Sequence, residues 1–259
     1  FGGAMAGAAP ALAAMVAVQH YYVGVSVWAA TPLAAVKSHV VTKSEPSPGL
    51  RSVGVFGYTS TLSACATVTV GLNHERMVCA WQKNSEWDTA AIAGQVVAIL
   101  QKREALEPDA GAQNFDGYAG ADWLCPRAYA EADWPTETDC NDAAVDGITA
   151  IKSTSVGSNV SMMLSTRSKN AAGTLDDFRA TERHRLSCMD WLLDTILLRF
   201  RQQYANFMLR DDRYNADGTV NASALPKARV LTPSLAKPFF SKIITDFEDT
   251  LLQDAAGWK

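Results

Sequence analysis

The residues able to do chemistry in this chain are scattered. Its four histidines, His20, His39, His74 and His184, share no metal-ligand spacing, and no H-E-x-x-H occurs. The five cysteines, Cys65, Cys79, Cys125, Cys140 and Cys188, are odd in number and hold no C-x-x-C pair. That pattern excludes a zinc ribbon and a thioredoxin-type motif, and it reads as buried thiols kept reduced. His74-Glu75 is the one adjacent acid–base pair at the start of a strand-like run. Neighbours on a strand point to opposite faces, so His74 reads as a structural histidine. Asn215-Ala-Asp217-Gly218 resembles the start of a calcium loop, but Ala224 and Leu225 stand where its closing Glu belongs; a β-turn is expected. No nucleophile elbow, P-loop or strand-linked G-x-G-x-x-G is present. The sequons at Asn159 and Asn221 are chance-level matches. No catalytic residue, cofactor site or metal site is expected.

The elements that would have to position any site are clearer. Ala11–Val18 suits a small-residue helix. Tyr21–Trp28 is aromatic and β-branched and reads as a strand buried on both faces. Residues 1–36 carry no charge, yet glycines, Pro10, Gln19 and His20 interrupt them, so a helix and a buried strand fit better than a membrane span. Thr31-Pro32 opens a helix to Thr42 with Leu33, Val36 and Val40 on one face. Strand Arg51–Tyr58, helix Thr59–Leu72, strand Glu75–Trp81, a polar loop Gln82–Glu86 and helix Asp88–Arg103 follow, the last with Ile92, Val96, Ile99 and Leu100 in register. This alternation predicts an α/β fold whose central, mainly parallel sheet is flanked by helices.

The second half changes texture. Residues 104–146 hold eleven acids against Arg127 alone, near Trp87, Trp123 and Trp134; both a binding surface and a solvated loop fit, and a short helix is expected at Glu137–Val145. Ile148–Ser153 and Asn159–Thr166 read as a hairpin. A long helix is expected from Asp176 to Leu209, with Leu186, Met189, Leu193, Ile196, Phe200, Tyr204 and Phe207 as its stripe. A last one, from Pro233 to Gln253, would be interrupted near Pro238. The expected division is an α/β core domain over 1–146 and a smaller α+β part over 147–259, with a hairpin and two long helices. A net charge of −4 argues against nucleic-acid binding. An α/β hydrolase-like or nucleotide-binding enzyme lacking its motifs, and a membrane-active protein using residues 1–36, remain as alternatives.

In order and spacing these segments resemble the C-terminal half of the tail sheath proteins of Mu-like contractile phages. The segments are Gly2-Gly3-Ala4-Met5-Ala6-Gly7, Leu12-Ala13-Ala14-Met15, Leu72-Asn73-His74-Glu75-Arg76-Met77-Val78, Trp87 with Ala90-Ala91, Asp146-Gly147-Ile148, Leu164 through Ala171, and Val230-Leu231-Thr232-Pro233-Ser234. The resemblance implies a structural, non-enzymatic virion protein, assembled in the host cytoplasm, whose subunits stack as hexameric rings around a tail tube protein above a baseplate. Contraction of those rings would drive the tube through the host envelope. It also implies that the chain, beginning at Phe1 and ending at Lys259, is a trimmed core without the terminal arms that family members lend to a neighbour's sheet edge.

Overall fold

The computed structural model describes residues 8–15, 20–45, 49–106, 130–154, 157–170, 172–174, 176–177, 183–221 and 229–247. Five strands form the main sheet: β1 (Tyr22–Val25), β2 (Val53–Tyr58), β3 (Met77–Trp81), β4 (Thr149–Thr154) and β5 (Gly157–Val160). Their spatial order follows the chain, with β1 to β4 parallel and β5 antiparallel to β4. The chain is thus a mixed α/β protein with a mainly parallel sheet, and the expected hairpin supplies the last two strands of that sheet.

Strand alternation sorts the core into two layers. Phe56, Tyr58, Met77, Cys79 and Trp81 face α1 (Ala8–Ala14), α2 (Ala30–Ser44), α3 (Leu62–Leu72) and α5 (Glu137–Val145), whose Leu12, Leu33, Val36, Val40, Cys65 and Cys140 complete one cluster. Val53, Val55, Val78 and Ala80 face the other way, against Ile92, Ala93, Val96, Ile99 and Leu100 of α4 (Thr89–Leu106). β2 is buried at every position because it is covered on both faces, which is why it reads as an unbroken apolar run. Its two glycines allow close approach. A Cβ on Gly54 would lie 2.9 Å from Val36 Cγ1, and one on Gly57 would lie 2.2 Å from the Thr89 carbonyl oxygen.

Three expectations are corrected here. β1 is not buried on both faces: it is an edge strand with only Val25 buried, and Tyr21 and Trp28 at its ends are about half exposed. Among the described residues it is last in the sheet, with a neighbour on one side only. Gln82 is not a solvated loop residue but fully buried, because the residue after Trp81 still follows the strand into the core. Trp87 packs against the α4 layer rather than standing exposed, while Trp123 and most of the acidic segment lie outside the described residues.

The chain divides into two compact units, residues 1–107 with 113–187, and residues 188–259 with 108–112. In the second, α6 (Arg183–Tyr204), from Cys188 onward, and α7 (Pro233–Asp246) bury Leu192, Ile243 and Phe247, with Trp191, Ile196 and Phe239 around them. A two-stranded parallel ribbon joins β6 (Met208–Leu209) to β7 (Val230–Leu231). Asp176 is not part of the long helix, because it is drawn into a bridge with Lys169; among the described residues the helix spans Arg183–Tyr204. It ends at Tyr204 rather than Leu209, which belongs to β6. Its stripe holds in part: Ile196, Phe200 and Tyr204 pack towards α7 as expected, whereas Met189 and Leu193 are exposed and Leu192 is buried instead. α7 runs through Pro238 without a break; Gln253 lies outside the described residues. Among the described residues no helix is long and apolar enough to cross a membrane.

Candidate functional site

Ligands of parallel α/β sheets bind in the crevice beyond the carboxyl ends of the strands, so that end is where an enzyme of this fold would work. Here it is filled by the chain itself. Beyond β2, Tyr58 meets Trp28 edge-on, ring centroids 5.3 Å apart. At the end of β3, Trp81 is buried and donates its indole N–H to the Ser60 carbonyl at 2.8 Å. Next to it the buried Gln82 amide donates to Ser153 Oγ at 3.4 Å and Ser158 Oγ at 3.3 Å, and its oxygen accepts from Ser85 Oγ at 2.8 Å. On the opposite face the first turn of α4 presses onto Gly57, and Thr89 Oγ1 donates to the Ser26 carbonyl at 3.3 Å. A helix N-terminus in this position binds phosphate in nucleotide-binding folds. In this chain Asp88, whose Oδ1 lies 3.2 Å from the Thr89 hydroxyl and competes with Ser26 for its single proton, puts its own negative charge there.

The amino ends of the strands carry the densest polar contacts. α3 ends in Asn73, held in the left-handed region at φ 40°. Its side-chain oxygen accepts from the backbone N–H groups of Ser168 and Lys169 at 3.3 and 3.0 Å, and its amide nitrogen donates to the Asn170 carbonyl at 3.1 Å. Thr166 Oγ1 accepts from His74 N–H and donates to the His74 carbonyl, while Thr166 N–H donates to the Met77 carbonyl at 2.7 Å. Gly147, at φ 68°, passes so close that a Cβ would sit 2.7 Å from the Ser165 oxygen. Three of the segments picked out by the resemblance, around Asn73, Gly147 and Thr166, therefore clasp one another. Sequence spacing alone gave no sign of that contact, since the partners are about ninety residues apart.

Charge completes the clasp. Arg167 lies 3.8 Å from Glu75 and 3.6 Å from Asp177, and Lys169 pairs with Asp176. His74 and Glu75 do come together, 3.8 Å apart, because both precede β3 rather than alternating within it. The imidazole is not poised as a base: Nδ1 accepts the Arg76 N–H at 3.0 Å, and burial holds the ring below its usual pKa, against the opposing pull of Glu75. Burial also raises the Asp146 carboxyl, with Lys169 partly offsetting it. This arrangement is suited to fixing backbone, not to moving protons.

The other candidates resolve simply. Asn215–Thr219 is a turn, with Gly218 N–H on the Asn215 carbonyl at 3.0 Å and the Asp217 carboxylate occupied by Thr219 N–H and Oγ1. Asn159 sits in β5, its side-chain oxygen buried. Cys65, Cys79 and Cys140 are buried thiols, and among the described residues no three His, Cys, Asp or Glu side chains gather as a metal site. In the second unit, a groove of ≈ 340 Å³ runs beside α6 and α7 past Arg199, Gln202, Phe239 and Lys242. Arg199 is held there by Asp246 at 2.9 Å and by the Phe247 ring. Met208, Leu209 and Tyr214 stand exposed on the ribbon and the turn after it.

No protein-family model and no curated protein matches the sequence. Among solved structures, the chain is similar to the sheath tail protein of Desulfitobacterium hafniense, with a TM-score of 0.59 at 15% identity over 92% of this chain and 48% of that one. The chain thus has a sheath tail protein-like fold, and it spans about half the length of that relative.

Proposed function

We propose that this chain is part of a structural subunit of a contractile phage tail sheath, of the Mu-like kind, which stacks as hexameric rings around a tail tube and is not an enzyme. The observation that carries the reading is the likeness to a sheath tail protein along nearly the whole chain. Two features of the molecule support it. The crevice that an α/β enzyme needs is packed with Trp81, Gln82 and the start of α4. Among the described residues the sheet also ends in two strands with one unpaired side each, β1 and β5, and β1 carries no charge to repel an added strand. An arm from a neighbouring subunit could extend such an edge through backbone hydrogen bonds.

The test is where the protein sits. Immunogold labelling of the particles that carry it, with antibodies to this chain, is expected to decorate the tail along its length. Labelling confined to the head or the tail tip refutes the reading. For the 259-residue chain alone, light scattering after size exclusion is expected to show a monomer at micromolar concentration. A stable hexamer would contradict assembly by exchanged arms.

A further inference from the structure

Cys65, near the start of α3, and Cys79, in the middle of β3, point at each other across the core with their sulfurs 3.4 Å apart. Both side chains are fully buried. We propose that this pair is a latent disulfide, closed by two-electron oxidation with a hydroperoxide and tying α3 to the central strand. A disulfide bond is about 2.05 Å long, so closure asks each sulfur to move by well under an ångström. Cys140 is buried in the same cluster, so it is the competing sulfur that the test has to separate from this pair.

The chemistry balances without a further reagent. One thiol sulfur attacks a peroxide oxygen, giving a sulfenic acid and releasing water. The second sulfur then displaces the sulfenic hydroxyl, which leaves as water with the second thiol proton. Two thiols and one hydrogen peroxide become one disulfide and two waters. Burial sets the kinetics. It pushes the Cys79 thiol up, and the contact with Cys65 adds to the shift, so thiolate is scarce and attack waits for α3 to lift. Once formed, the bond is shielded from reductants by the same burial. Opening and closing are both slow, so the pair retains a record of oxidant exposure.

Peptide mapping reads this directly, because Arg76 separates the two cysteines. The folded chain is treated with hydrogen peroxide, its remaining thiols are alkylated in denaturant, and it is digested with trypsin without reduction. Peptides 52–76 and 77–83 are expected to appear joined, two hydrogens lighter than their sum, and to separate on reduction. The oxidised chain should melt about 5–10 °C higher, as expected for closing a loop of this size. Cys65→Val, which fills the same space without a thiol, should lose both effects, and Cys188→Ser should keep both. Recovery of Cys65 and Cys79 as alkylated thiols or as sulfinic acids, or pairing of either with another cysteine, overturns the proposal. These readouts depend on no assembly, so they stand apart from the sheath reading.

Discussion

Replacing Gly57 by alanine tests how tightly the carboxyl end of the sheet is closed. The added Cβ would lie 2.2 Å from the Thr89 oxygen, 2.9 Å from its carbonyl carbon and 3.0 Å from its Cα. All three are backbone atoms, so no side chain can swing aside, and β2 and α4 must part by about 1 Å to restore ordinary contact. β2 is held by strands on both sides and α4 by five buried residues, so the separation breaks packing around Ile92 and Val96. Overpacking of this kind costs about 1–3 kcal/mol, and the rigid neighbours place it at the upper end. Alanine's lower chain entropy returns roughly 0.5–1 kcal/mol, leaving a net loss of about 2 kcal/mol. Gly94→Ala is the control: it lies on α4 with nothing within 4 Å of the new Cβ, and should gain about 1 kcal/mol from helix propensity. Urea unfolding followed by circular dichroism should separate the two midpoints by about 1 M. A Gly57→Ala chain that unfolds with the parent would show slack at this contact, and the closed crevice would lose its main support.

Other outcomes follow from the same geometry. Trp81→Phe leaves the Ser60 carbonyl without its indole donor and should cost about 1–3 kcal/mol in the same titration; a change below about 0.5 kcal/mol would show that the indole bond adds little. Asn73→Ala removes three side-chain hydrogen bonds and a residue type that tolerates φ 40° better than alanine does, for a loss of about 2–3 kcal/mol. Asn73→Gly should fall between it and the parent, and a fully stable glycine variant would assign the whole effect to backbone. Thr136→Ala breaks the capping box that starts α5 and should cost about 1 kcal/mol. Hydrogen bonds from Thr136 lower the Asp139 carboxyl below its ordinary 3.8, so its contribution is present above that value and is lost as pH falls through the lower folded one. The Thr136→Ala chain should therefore show a shallower loss of stability in acid.

Elements covered on a single face were legible in the sequence. α2 buries the Leu33, Val36 and Val40 expected of it, and α4 buries Ile92, Val96, Ile99 and Leu100. α5 occupies the expected residues, just after Pro135. What failed was anything decided by a distant neighbour. An apolar strand reads alike at the centre and at the edge of a sheet, so β1 was placed inside. On α6 apolar residues ring much of the helix, and only packing against α7 selects Leu192 over Leu193. The β6–β7 pair is two residues long on each side, too short for any period to show. The clasp around Asn73 was invisible for a different reason: its side chains bond to backbone, and backbone leaves no signature in residue types.

The buried Gln82 has a further consequence for how the sheet finds its alignment. Only two residue pairs, Ala80 with Thr149 and Trp81 with Ala150, join β3 to the strand that follows it in space. Apolar strands matched over so short an overlap can slide, and a slip of one residue turns every side chain to the wrong layer. The amide marks the correct phase, since only one placement brings Ser153 and Ser158 together beneath it. Any other leaves a polar group stranded in hydrocarbon at a cost of about 1–3 kcal/mol. Gln82 thus works as a key cut for one lock: the late-synthesised hairpin is admitted at a single position, whatever the apolar residues around it would tolerate.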